Sequence, residues 1–161
     1  MSKTQTRIFI ADDVSDKGLQ PLRDAGFVVD KQTGLAPEAL LRALADSEGL
    51  VVRSETKVTP DVMDAATKLR VIGRAGVGVD NIDVPAATAR GIVVMNAPAG
   101  NTITTAEHTL ALLIALARNI PQASASVKAA KWERKRFIGA ELQGKTLGVI
   151  GLGRIGRAVA A

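Results

Sequence analysis

Over roughly the first hundred residues, short apolar runs alternate with stretches of helical periodicity. The runs RIFIA (7–11), FVVD (27–30), LVVRS (50–54) and IVVMN (92–96) predict strands, and LRVIGRAG (69–76) predicts a strand and turn. Such near-continuous apolar runs suit strands covered on both faces. The segments between them predict helices. Residues 15–26 form one closed by Gly26, and 36–49 another with Pro37 in its first turn. Residues 59–67 form a third, with Thr59 as cap and Pro60 at the first position, and 84–91 a fourth ending at Gly91. Strands separated by helices over so short a length predict a compact parallel α/β sheet, placed at 1–98, with NAPAGNT (96–102) as its exit loop.

The pattern then changes. Thr104 and Glu107 have capping-box spacing at the start of a long helix. TLALLIALA (109–117) is apolar on nearly every side, and a helix apolar all round is expected to be buried all round. In so small a protein this predicts that helix 104–117 is covered by another subunit or domain, as in a homo-oligomer. A second helix follows at 121–132, starting at Pro121, and TLGVI (146–150) predicts a sixth strand. The segment 99–161 thus reads as a long interface helix and the beginning of a second α/β domain.

Composition narrows the classes. Hydrophobic residues are 47% and aromatic ones 2%, so the core is aliphatic. There is no cysteine, which excludes disulfides and thiolate metal sites and fits a cytoplasmic protein. With one histidine, a multi-histidine metal site within one chain is excluded. Neither a secretory signal nor a run long enough to span a bilayer is visible, so no membrane partner is expected. The net charge of +5 is uneven. Residues 1–100 hold 12 Lys/Arg and 13 Asp/Glu, whereas 101–161 hold 9 and 3. Much of that excess lies in KAAKWERKRF (128–137), which lacks the interleaved aromatics of a nucleic-acid stacking platform. It reads as a solvated face or an anion-binding edge, with no nucleic acid expected.

Two features carry chemistry. Gly151, Gly153 and Gly156 make G-x-G-x-x-G between an apolar run and a helix start. The first glycine allows a tight turn, the second lets the backbone approach a pyrophosphate, and the third lets helix and strand pack closely. The alternative is a plain strand–helix turn. A ribose-binding acid would lie about 20 residues further on, so the turn does not distinguish NAD from NADP. The second feature is a pair of arginines, Arg53 and Arg74, each ending a predicted strand. Ligands bind at the carboxyl ends of strands in open parallel sheets, and guanidinium suits carboxylate or phosphate. Gly76 and Gly78 would let the backbone close on the same anion. The alternative is that both arginines form salt bridges with acids such as Asp80 or Asp83.

The stretches VVRSETKVT (51–59), VIGRAGVGVDNID (71–83), GIVVMNAPAGNTITTAEHTLALLIALARNIPQA (91–123) and KWERKRFIGAELQGKTLGVIGLGRIGR (131–157) together resemble the D-isomer-specific 2-hydroxyacid dehydrogenases. The resemblance covers the chain from about residue 50, and more loosely the part before it. It implies a flavodoxin-like substrate-binding domain followed by the start of a Rossmann nucleotide-binding domain that takes NAD. Arg53 and Ser54 of VRS, and Arg74 and Gly76 of GRAG, are then substrate-side positions. Asn101 lines the cleft, and Arg134 reaches a neighbouring subunit's active site. Arg154 and Ile155, with the three glycines, meet the cofactor pyrophosphate. Val77 matches a cofactor-contacting position often held by threonine; valine keeps a backbone contact and lacks the hydroxyl. The family's catalytic arginine, glutamate and histidine have no counterpart here, and His108 is expected to be structural or interfacial.

The implied reaction is hydride transfer between C2 of a 2-hydroxy acid and a nicotinamide, with the arginine pair leaning toward a dianionic substrate. The segment alone is expected to be inactive. Two other readings are a sibling enzyme for another small 2-hydroxy acid and a non-catalytic, anion-binding dimerisation module.

Overall fold

A computed structural model describes residues 5–161. The chain forms two compact units, Met1–Gly100 and Asn101–Ala161. In the first, five strands form one parallel sheet: β1 (Arg7–Ile10), β2 (Val28–Lys31), β3 (Gly49–Val52), β4 (Val71–Arg74) and β5 (Val93–Asn96). The helices α1 (Asp16–Asp24), α2 (Pro37–Leu44), α3 (Pro60–Ala65) and α4 (Val84–Ala89) connect them in turn. The strand order is β2-β1-β3-β4-β5, which is the flavodoxin-like order. All neighbours are parallel, with Ile8 opposite Val29 and Gly49, and Leu50 opposite Ile72.

The alternation of β1 separates two apolar layers. Ile8 and Ile10 pack with Leu19 of α1. Phe9 faces the other way, in one cluster with Leu40 and Leu44 of α2, Val62 and Met63 of α3, and Leu50, Val52 and Ile72 of the central strands. Phe9, Ile10, Leu44, Val52 and Ile72 are wholly buried. Strands covered on both faces need no polar alternation, which is why they read as unbroken apolar runs.

Glycine closes α1 and α4 as expected. Gly26 and Gly91 have φ of +83° and +69°, in the left-handed region that only glycine adopts freely. Thr59 caps α3 by position, with Pro60 next, but its hydroxyl makes no capping bond. Helix α2 stops at Leu44, short of the predicted 49, because the chain there already joins the sheet. The Glu48 N–H donates to the Arg7 carbonyl, and β3 begins at Gly49.

The second unit holds α5 (Thr102–Ala117), α6 (Ile120–Lys128), a 3-10 turn (Arg134–Phe137) and α7 (Arg154–Ala160). Three expectations change here. The capping box is absent: α5 starts after Asn101, and the Thr104 hydroxyl donates back to the Asn101 carbonyl from inside the helix. Helix α6 ends at Lys128, where the Ser126 carbonyl captures the Lys131 N–H and Ala130 turns left-handed at φ +57°. Residues 146–150 form no strand. A strand exists only against a neighbour, and among the described residues this unit contains no other strand to pair with it. In the single chain Ala106 of α5 is buried, whereas Leu112, Ile114 and Leu116 are 56%, 47% and 77% exposed. No single helix among the described residues is long and apolar enough to cross a membrane.

An ion pair between Arg7 and Asp30 ties β1 to β2. The hydrogen bond from Arg7 holds the Asp30 carboxyl below its ordinary value of 3.8, against a smaller opposing effect of burial. A depressed carboxyl stabilises the fold above its unfolded pKa and loses that contribution as pH falls through the lower folded value. Because the pair is partly exposed, solvent screening limits it to about 1 kcal/mol or less. Arg7→Gln is therefore expected to lower the urea midpoint at neutral pH and to reduce the loss of stability as pH falls through and below the ordinary carboxylate value. Identical acid profiles for both proteins would remove the pair from the balance.

Candidate functional site

In the flavodoxin-like order the chain departs from β1 in both directions, to β2 on one side and β3 on the other. The carboxyl ends of β1 and β3 therefore border the crevice where doubly wound sheets bind ligands. Asp12 and Asp13 follow β1 there, residues 53–56 follow β3, and residues 75–79 follow β4.

Asp12 is 1% exposed. Its carboxylate accepts the Arg53 N–H at 2.5 Å, the Thr56 N–H at 3.2 Å from each oxygen, and the Thr56 hydroxyl. On the opposite side of the loop, the Asn81 amide donates to the carbonyls of Arg53 at 2.8 Å and Thr56 at 2.6 Å. The Val58 N–H donates to the Asn81 carbonyl, which fixes Asn81 in turn. Sequence reasoning singled out neither Asp12 nor Asn81. A lone buried aspartate after an apolar run was the available signal, and it has no meaning until its partners are known.

Arg53 and Arg74 come together. Arg74 Nε donates to the Arg53 carbonyl at 3.3 Å, and Arg53 Nη1 to the Asp13 carbonyl at 3.1 Å. Among the described residues neither pairs with a carboxylate, so the salt-bridge alternative does not hold. Asp83 instead caps α4 through the Ala86 N–H. Asp13, the acid nearest in sequence to the Arg53 contact, is taken by Lys31 at 2.7 Å. That hydrogen bond holds the Asp13 carboxyl below its ordinary value, with Arg53 adding a smaller pull in the same direction. Two guanidiniums at adjacent strand ends thus keep their N–H forks for an anion.

The Gly76 N–H is already taken by the Arg74 carbonyl at 2.8 Å, and a Cβ at Gly76 would meet the mobile end of the Arg74 side chain, 2.5 Å from Nη1. The loop beyond is anchored by its carbonyls: Ala97 N–H donates to Gly76 at 2.9 Å and the Asn96 amide to Val77 at 2.6 Å. The N–H groups of Val77 and Gly78 have no protein partner among the described residues. Ser54 is exposed beside Arg53. A cavity of about 430 Å³ has Asp12 and Thr56 among its lining residues. Its floor is Leu35, Leu40, Leu41 and Val62, and neither arginine lines it.

In the second unit the glycine turn has the predicted division of labour in two of its three positions. Gly151 has φ +93°, a conformation that disfavours any side chain. At Gly156 a Cβ would lie 2.0 Å from the Gly151 carbonyl oxygen, so the helix closes onto the turn only with glycine. At Gly153, which precedes α7, the space in front of the Cβ position is open. Arg154 is exposed and Ile155 half-buried. Ile155 joins Leu110, Leu113, Val149 and Val159 around a cavity of about 400 Å³. Asn101 and Arg134 are both exposed, Arg134 in the 3-10 turn beside Arg136, which pairs with Glu133. His108 is exposed on α5.

The first unit thus offers a parallel sheet with arginines at adjacent strand ends, and the second a glycine turn before a helix. Residues 8–150 match the family model of the D-isomer specific 2-hydroxyacid dehydrogenase catalytic domain, and the chain belongs to that family. Among its relatives is the D-3-phosphoglycerate dehydrogenase of Archaeoglobus fulgidus, 56% identical over 154 residues, which are 96% of this chain and 29% of that protein. The chain thus spans under a third of the length of that curated relative. A solved structure from Thermus thermophilus is similar with a TM-score of 0.88 at 39% identity, over 96% of this chain and 51% of that one. The NAD+-bound 3-phosphoglycerate dehydrogenase of Entamoeba histolytica is similar at 0.77 and 30% identity, over 98% of this chain and 50% of that one.

Gly156→Val is expected to disrupt the packing of α7 onto the turn, because the side chain cannot coexist with the Gly151 carbonyl oxygen. Thermal unfolding followed by circular dichroism would measure it. An unchanged melting curve would show that the turn tolerates a side chain there.

Proposed function

We propose that this chain is the substrate-binding domain and the opening of the nucleotide-binding domain of an NAD-dependent D-3-phosphoglycerate dehydrogenase. The reaction is oxidation of 3-phospho-D-glycerate to 3-phosphohydroxypyruvate, the first step of serine biosynthesis. The observation that carries the reading is the pair Arg53 and Arg74, adjacent at the sheet edge and without carboxylate partners among the described residues. A substrate bearing both a carboxylate and a phosphate supplies the negative charge that two guanidiniums need. The name and high identity of the Archaeoglobus relative support the same substrate.

The chain's own residues bind and orient. Arg53 and Arg74, with the open N–H group of Gly78, hold the anionic groups and set the distance of C2 from the sheet edge, while the open N–H group of Val77 is assigned to the cofactor. Ser54 adds a hydroxyl beside them. Asn101 and Arg134 are assigned to the same substrate, Arg134 from a neighbouring subunit. The glycine turn fits a dinucleotide: Gly151 and Gly156 permit only a close-packed turn, and the open face at Gly153 leaves the backbone accessible. When bound, the nicotinamide accepts the hydride. The residue that accepts the hydroxyl proton is not assigned among residues 5–161.

Charged hydrogen bonds contribute about 1.5–3 kcal/mol each. Arg53→Ala and Arg74→Ala in the full-length protein are therefore expected to raise the KM for 3-phosphoglycerate by about ten- to a hundredfold, leaving the KM for NAD unchanged. An enzyme indifferent to both substitutions, or one that prefers an unphosphorylated 2-hydroxy acid, would overturn the substrate assignment.

The exposed face of α5 supports self-association. Leu112, Ile114 and Leu116 lie exposed on one helix, more apolar surface than a solvated helix carries. Replacing Leu112 and Leu116 with glutamate is expected to shift sedimentation toward the monomer. An unchanged mass would assign the oligomer to another surface.

A further inference from the structure

The arginine pair cannot work unless the loop that carries Arg53 holds one shape, and that loop has no secondary structure of its own. Residues 53–56 leave β3 and reach α3 without entering the sheet. Their main-chain groups are nonetheless held from two sides. On one side a single buried carboxylate, Asp12, takes the N–H groups of Arg53 and Thr56 and the Thr56 hydroxyl. On the other side a single amide, Asn81, donates to the carbonyls of the same two residues. Arg53 therefore has its own N–H and its own carbonyl fixed by side chains from different segments, one after β1 and one after β4. Its carbonyl also accepts from Arg74 Nε, so the same clamp sets the distance between the two arginines.

We propose that Asp12 and Asn81 are positioning residues for the anionic substrate: they act through Arg53 and Arg74 and touch no substrate themselves. The inference rests on the assignment of the two arginines to the substrate. It follows from donor and acceptor counts. A carboxylate offers only acceptors, and here it faces three donors; an amide nitrogen offers two donors, and here it faces two carbonyls. Asp12→Asn would turn an N–H₂ group toward N–H donors, and Asn81→Asp would turn oxygens toward carbonyls. Either change reverses the match rather than merely weakening it. The clamp also explains why the sequence brings a buried acid to a place where arginines lie near: Asp12 is saturated by main-chain donors and does not neutralise the guanidiniums.

The test uses the full-length enzyme with 3-phosphoglycerate and NAD. Asp12→Asn and Asn81→Ala are the direct variants, and Thr56→Val is the milder one, since it deletes one hydroxyl from a half-buried side chain. Thr56→Ser keeps that hydroxyl. The expected result is a KM for 3-phosphoglycerate raised about tenfold by Thr56→Val, and more by the other two, with the KM for NAD unchanged and Thr56→Ser restoring the original value. In an Arg53→Ala/Arg74→Ala background the same changes are expected to have little further effect on that KM, because the clamp acts through the two arginines. If the clamp variants lower only the melting temperature or the active fraction, at unchanged KM for 3-phosphoglycerate, the positioning role is overturned and the arginine assignment stands. Full additivity with the Arg53→Ala/Arg74→Ala double variant overturns it as well. If Arg53→Ala itself leaves the KM unchanged, both the assignment and the positioning role fall.

Discussion

An open parallel sheet leaves a crevice where consecutive connections diverge, and here they diverge at β1. Strand β2 is laid on one side and β3 on the other, so the carboxyl ends of β1 and β3 stand next to each other with no connection passing between them. Everything chemical in the first unit follows from that opening. The backbone there has run out of strand partners, and its N–H and carbonyl groups must be satisfied by side chains. Asp12 and Asn81 do this for the loop after β3, and Asn96 does it for the loop after β4.

The same shortage of partners governs the charges. A basic edge in a chain with 13 acidic residues in its first hundred would ordinarily neutralise itself. Among the described residues it does not: Asp12 is taken by two main-chain donors and the Thr56 hydroxyl, Asp13 by Lys31, and Asp83 by the first turn of α4. No carboxylate pairs with Arg53 or Arg74 among the described residues.

The glycine turn is governed by sterics rather than charge. Gly151 and Gly156 are each required for a separate reason, one for backbone sign and one for the approach of helix to turn. Both reasons are internal to the turn, so it forms even though residues 146–150 have no strand beside them. A turn of this kind is local structure, whereas the strand leading into it is not.

That distinction separates what was legible from what was not. The sequence by itself determined the five strands and the helices between them, because both periodicities are local and the caps at Gly26, Gly91 and Pro60 punctuate them. It also marked Arg53, Arg74 and the glycine turn, since residue type and spacing alone single them out. Only the tertiary structure decided that the arginines lack acidic partners among the described residues, that the Gly76 N–H is taken by the Arg74 carbonyl, and that Asp12 and Asn81 hold the Arg53 loop. Asp12 is 41 residues from Arg53, and Asn81 is 28 residues from it. Hydrogen bonds across such separations leave no period in a sequence; they exist only once the strand order has brought the segments together.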